Sequence, residues 1–116
     1  MKKTRMMKKN YEFRNVLSKG SYYSGKYLEA FVKRTNNEYN LLGIAISVKI
    51  AKAVKRNLIK RIIRENYRLI ETNIKSGYSI VFLWKKKSNI KNATFININI
   101  DMKNILDKAD IFEETK

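Results

Sequence analysis

Residues 52–68, KAVKRNLIKRIIRENYR, constrain this chain more than any other stretch, because they combine helical periodicity with a dense cationic load. Seven basic side chains fall here (Lys52, Lys55, Arg56, Lys60, Arg61, Arg64, Arg68), including four of the seven arginines in the chain. At about 100° per residue, Arg56, Asn57, Lys60, Arg61, Arg64 and Arg68 share one side of a helix. Val54, Leu58, Ile59, Ile62, Ile63, Leu69 and Ile70 fall on the other, with Lys55 the one cation in the apolar arc. Such a helix is expected to dock on a core through one face and offer charge to an anionic partner through the opposite one.

The length of 116 residues fits one domain with a single modest core. A formal net charge of +16 opposes compaction by self-repulsion and points to a polyanionic partner. Compositional bias toward Lys, Asn and Ile can inflate the lysine count, but it does not gather arginines on one helical face. Cysteine and histidine are both absent, which removes disulfides, thiolate zinc sites and the usual neutral-pH acid–base group. The ten acidic residues are scattered apart from Glu113–Glu114, and no pair stands out as a hydrolytic couple or two-metal site. Chemistry in which this chain takes part is therefore expected to come from its partner. The basic N-terminus lacks an apolar segment behind it, and no stretch reaches transmembrane length, so a cytoplasmic location is expected. Membrane binding through the basic helix is disfavoured because the core needs that helix's apolar face.

Along the chain, residues 1–8 are expected to be a flexible basic arm, residues 9–110 one domain, and residues 111–116 a frayed end. Asn10 is a plausible N-cap for a short helix that ends at Ser18-Lys19-Gly20-Ser21. Residues 26–34 and 40–48 read as strands around an Asn36-Asn37 turn, an apparent antiparallel hairpin. The basic helix runs from about Ala51 to Asn73, and Ser76-Gly77 precedes a strand at 78–84. Residues 95–101 alternate like a strand, yet Phe95, Ile98, Met102, Ile105, Leu106 and Ala109 mark one helical face. Helix is the reading adopted there, with Asn92 or Thr94 as its cap.

The passage GIAISVKIAKAVKRNLIKRIIRE, residues 43–65, resembles the signature of the bacterial ribonuclease P protein family, which has an Arg-Asn-Arg core followed by Lys-Arg and a further Arg. KKNYEFRNVLSKGSYYSGKYL resembles that family's short first helix and first strand, and Gly77-Tyr78 with its apolar strand and terminal helix is similar to the remainder. The resemblance spans about residues 8–109. The third position of the core is Leu58 here, Ala51 stands where the family usually has glycine, and Val48 replaces a lysine. One expected RNA contact is thereby missing.

The resemblance implies an α+β fold: a two-layer α/β sandwich with a small mixed sheet and a left-handed βαβ crossover. Its implied order is helix–strand–strand–helix–strand–helix, as in a domain of a ribosomal protein. It implies a subunit that binds a large catalytic RNA and the 5′ leader of precursor tRNA and assists Mg²⁺-dependent removal of that leader. The metal would be bound chiefly by the RNA and substrate, with no membrane and no obligate protein partner. Arg56, Asn57, Lys60, Arg61, Arg64, Arg68 and Lys52 become the RNA-contact candidates, since guanidinium groups fork onto phosphate oxygens. The bland alternative is a solvated face, with Glu65 and Glu71 pairing Arg61 and Arg68. Phe13 and Phe31 match family positions in a leader-binding cleft, where stacking tolerates any base; Leu17 replaces another aromatic. Both phenylalanines are equally at home in a core. The competing function is a non-catalytic protein that binds structured RNA; duplex DNA binding is weaker for want of a recognition-helix motif.

Overall fold

The computed structural model describes residues 3–113. Five strands form one mixed sheet in the order β1-β4-β5-β3-β2. The strands are β1 (Thr4–Met6), β2 (Ser21–Ser24), β3 (Leu28–Arg34), β4 (Asn40–Ala45) and β5 (Tyr78–Trp84). Helices α1 (Asn10–Lys19), α2 (Ala53–Ile70) and α3 (Phe95–Lys108) complete the domain.

β5 is central and its residues Ser79 to Phe82 are all buried, which explains why YSIVFLW reads as a nearly unbroken apolar run. It pairs parallel with β4 and antiparallel with β3, while α2 makes the crossover from β4 to β5. The two strands read as a hairpin, β3 and β4, therefore do not touch as partners. β5 lies between them, and β3 instead forms its hairpin with β2. Short-range turn signals around Asn36-Asn37 cannot register an intruding strand that lies more than forty residues away.

The main core lies between one sheet face and the pair α2/α3. Leu28, Ala30, Leu42, Ile80 and Phe82 of the sheet meet Ile59, Ile63, Tyr67, Ile98, Met102, Ile105 and Leu106 of the helices. Each such fully buried side chain contributes on the order of 1.5–3 kcal/mol before entropy is subtracted. Thr94 caps α3 by accepting the Asn97 amide at 3.2 Å, as one of the two expected caps. A smaller cluster of Met7, Val16 and Val81 joins α1 to the opposite sheet face.

The two ends of the chain depart from expectation. Within the supposed arm, Thr4–Met6 is a strand parallel to β4, Thr4 is buried, and its hydroxyl lies 2.7 Å from the Tyr67 hydroxyl. The charges around it hid the buried positions Thr4 and Met7. At the other end Ile111 is buried and Phe112 bridges to Ile74, so the packed domain extends past residue 110. Residues 1, 2 and 114–116, parts of the expected arm and frayed end, lie outside the described residues.

Candidate RNA interface

α2 presents the cationic surface. The residues it buries are Ile59, Ile63, Asn66, Tyr67 and Ile70, spaced by three and four. The docked stripe is narrower than hydrophobicity alone implies: Val54 is 84%, Leu69 61% and Leu58 41% exposed. The polar Asn66 belongs to the buried stripe because its amide donates to the Ile62 and Phe95 carbonyls and its oxygen accepts from Asn99. Tyr67 belongs there because β1 supplies a partner for its hydroxyl.

Around the open side stand Asn57, Arg61, Arg64 and Arg68, all exposed, with Lys60 half-buried beside them. Lys52 is exposed as the N-cap residue, and its carbonyl accepts the Arg56 amide at 3.0 Å. Arg56 is half-buried and folds back, donating from Nη1 to the Ala51 carbonyl at 2.6 Å. That bond ties part of the guanidinium to the loop that leads into α2. Arg68 pairs with Glu65 at 2.8 Å, both largely exposed, a contact worth at most about 1 kcal/mol. Glu65, expected beside Arg61, thus pairs with Arg68 instead, and Arg61 has no ion pair among the described residues.

The first turn of α2 carries no acidic residue, although a helix N-terminus favours anions. Lys52, Lys55 and Arg56 crowd that end instead, against the macrodipole and against each other. The arrangement costs the isolated domain stability and creates a strongly electropositive corner, which an incoming phosphate relieves.

A second surface lies on the opposite sheet face, beside α1. Strand pairing lines up Ser24, Glu29, Leu83 and Ala45 in one row, and Tyr22, Phe31, Val81 and Gly43 in the next. Phe13 rests on the second row at Gly43, where a Cβ would lie 2.7 Å from both Phe13 Cε1 and Met7 Sδ. Only glycine permits that approach. Phe13 and Phe31 are both half-buried against the small Met7, Val16 and Val81 cluster, so the structure brings these two candidates together. Leu17 does not join that cluster and stands exposed on the same helix one turn after Phe13.

Sequence reasoning left Tyr22, with Tyr23 and Tyr27, among the less well placed aromatics for this surface, and it passed over Glu29. The Tyr22 ring is 5.2 Å from that of Phe31, tilted by 59°, and its hydroxyl donates to Glu29 Oε2 at 2.6 Å. This bond to a carboxylate, with a smaller contribution from burial, raises the Tyr22 pKa above its ordinary value. The helix end expected at Ser18-Lys19-Gly20-Ser21 overlaps β2 only at Ser21, and Tyr22–Ser24 received no strand of their own from the sequence. Tyr23 packs toward the main core and Tyr27 stacks on Trp84, so neither belongs to this surface.

Among the described residues no group of three acidic side chains could hold a metal ion, and no helix is long and apolar enough to cross a membrane.

Residues 1–110 match the family model described as Ribonuclease P. The ribonuclease P protein component of Clostridioides difficile (strain 630) is 39% identical over 110 residues, covering 94% of this chain and 95% of that protein. That of Clostridium kluyveri is 38% identical over 109 residues, covering 92% and 96%. The RNase P protein of Staphylococcus aureus superposes with a TM-score of 0.82 at 28% identity, covering 93% of this chain and 97% of that one. That of Thermotoga maritima, at 24% identity, shares the fold with a TM-score of 0.80. With the mixed five-stranded sheet, the cationic helix and the matched length in agreement, the chain belongs to the ribonuclease P protein family, as a protein subunit of the tRNA 5′-processing holoenzyme.

Proposed function

We propose that this subunit docks on the catalytic RNA through the open face of α2 and holds the 5′ leader of precursor tRNA in the cleft beside α1. The observation that carries this reading is the separation of the two surfaces. Arginines stand on a helix packed against one face of the sheet, and half-buried aromatics line the other face. One protein can then touch two RNAs at once without competition between them. Asn57, Lys60, Arg61, Arg64 and Lys52 contact phosphates directly; Arg56 holds the loop before α2 and keeps its remaining N–H groups for RNA. Arg68 contributes less because Glu65 shares its charge. Phe13 and Phe31 stack with leader bases, and Leu17 forms an apolar rim.

We assign the Mg²⁺ of the reaction chiefly to the RNA and substrate, as the family resemblance implies. The protein's part is to neutralise phosphate charge where RNA and leader converge. The proposed setting is the cytoplasm, with catalytic RNA and precursor tRNA as partners and no obligate protein partner.

Reconstitution tests the reading. Adding the folded chain to its cognate RNA is expected to restore precursor cleavage at Mg²⁺ concentrations where the RNA alone is inactive. The holoenzyme should also bind precursor more tightly than mature tRNA. Failure of rescue by intact protein overturns the assignment; equal binding of the two tRNAs overturns the leader cleft alone.

A further inference from the structure

A carboxylate stands in the aromatic cleft. Glu29 shares its sheet face with Phe31, between Ser24 of β2 and Leu83 of β5. In a chain with 26 basic and 10 acidic residues, a negative charge placed where a polyanion is to lie calls for an explanation. It is not there to neutralise a neighbour: among the described residues no lysine or arginine pairs with it, and the one ion pair is Arg68–Glu65. What does engage it is the Tyr22 hydroxyl, at 2.6 Å on Oε2.

That bond orients the carboxylate and occupies one of its oxygens. The second oxygen keeps its capacity as a charged acceptor. Tyr22 itself is 51% exposed and leans over Phe31 at 5.2 Å, so ring faces for stacking and an acceptor-only edge adjoin one another. Residues two apart on a strand are about 6.6 Å apart, so a base on the Phe31 ring reaches Glu29 with its edge. A phosphate at that point would be repelled. A base edge is accepted only if it brings an N–H donor.

Cytosine, adenine and guanine carry exocyclic amino groups that can donate to a carboxylate. Uracil flanks its single ring N–H with two carbonyls, which face the carboxylate charge unfavourably. We propose that Glu29, oriented by Tyr22, makes the leader cleft select a base bearing an exocyclic amino group over uracil. This rests on the leader-cleft reading and adds a base-edge contact to stacking, which by itself tolerates any base.

All-cytidine and all-uridine leaders isolate the effect, since the two bases stack similarly and differ at the 4-amino and 4-carbonyl groups. With the reconstituted holoenzyme, precursor tRNA with the cytidine leader is expected to bind about tenfold more tightly, the worth of one hydrogen bond to a charged acceptor. Glu29→Gln should weaken the cytidine leader, which loses its charged acceptor, and strengthen the uridine leader, which loses the repulsion, bringing their ratio within about twofold, because an amide accepts from cytosine and donates to uracil. Tyr22→Phe should lower the ratio by freeing the carboxylate to turn. No cytidine preference in the native protein, or the same preference in Glu29→Gln, overturns the inference. Phe31→Ala separates the two levels. If it leaves the preference for precursor over mature tRNA intact, the cleft reading falls and this inference with it. If that preference is lost while Glu29→Gln leaves the cytidine/uridine ratio unchanged, base selection alone is refuted.

Discussion

Asp101→Asn is the perturbation whose cost the structure defines best. Asp101 lies on α3 and is 3% exposed, and its carboxylate caps the turn that joins β2 to β3. Oδ1 accepts from the Lys26 amide at 2.6 Å; Oδ2 accepts from Tyr27 at 2.9 Å and Leu28 at 2.7 Å. Gly25 passes so close that a Cβ there would sit 2.6 Å from both oxygens. An asparagine has one acceptor where the carboxylate has two. With its oxygen in the place of Oδ2, its NH₂ faces the Lys26 N–H, donor against donor. An unmet buried amide costs about 1–3 kcal/mol, and two bonds that lose charge assistance cost about 0.5–1 kcal/mol each. The expected loss is thus roughly 2–5 kcal/mol, or about 10–25 °C in melting temperature for a domain of this size. Urea denaturation followed by Trp84 fluorescence reads it directly, since Trp84 stacks with Tyr27 of the same turn at 6.1 Å. A destabilisation below about 1 kcal/mol would refute the clamp, because even one orphaned amide should exceed it.

Tyr67→Phe leaves the buried Thr4 hydroxyl without its partner and should cost about 1–2 kcal/mol, with faster hydrogen exchange at the Met7 amide, which bonds Leu42; unchanged exchange would exclude Tyr67 as the anchor of β1. Burial raises the Tyr67 pKa above its ordinary 10.0, the Thr4 hydroxyl opposing, so the stability this group contributes is present below pH 10.0 and lost as pH rises through the folded value. Melting curves from neutral to strongly alkaline pH should therefore fall less steeply for Tyr67→Phe than for the native chain. Arg61→Ala should lower the salt-dependence slope of RNA binding by about 0.7–0.9, and Arg68→Ala by less, because Glu65 already shares that charge; equal slopes in all three proteins would remove both from the phosphate-binding set. Gly43→Ala should displace Phe13 and abolish the preference for precursor over mature tRNA while leaving affinity for the catalytic RNA intact, as filter binding with each RNA would show.

What the sequence revealed and what it hid divide along a physical line. α2 and its cations were legible because periodicity within one helix is a local property, and α3 was legible once its six apolar positions outweighed the alternation of FININID. The burial of Asn66 and Tyr67 was not legible, since each depends on a partner from another element: Asn99 for one, Thr4 for the other. The strands β1 and β2 were missed for the same reason. TRM and SYYS have little apolar content, and they are strands because β4 and β3 offer them edges. In the candidate site, spacing gave the arginine face but not the turning of Arg56 back to Ala51. The resemblance gave Phe13 and Phe31, whereas strand register was needed to single out Tyr22 from Tyr23 and Tyr27 by pairing it with Phe31, and Glu29 was passed over.

The position of β5 also dictates when this domain can exist. On one side of it lie β4 and β1, on the other β3 and β2, and neither half shares a hydrogen-bonded edge with the other. Every strand except β5 is synthesised before residue 78 is made, yet the halves cannot be sewn together without it. Closing loops of this length before any reward makes the nucleus costly and folding slow. A nascent chain therefore carries the cations of α2 in an unassembled state until β5 arrives, free to meet RNA before the domain is complete. A chain stopped after Gly77 should accordingly show no cooperative unfolding transition, and one extended through α3 should.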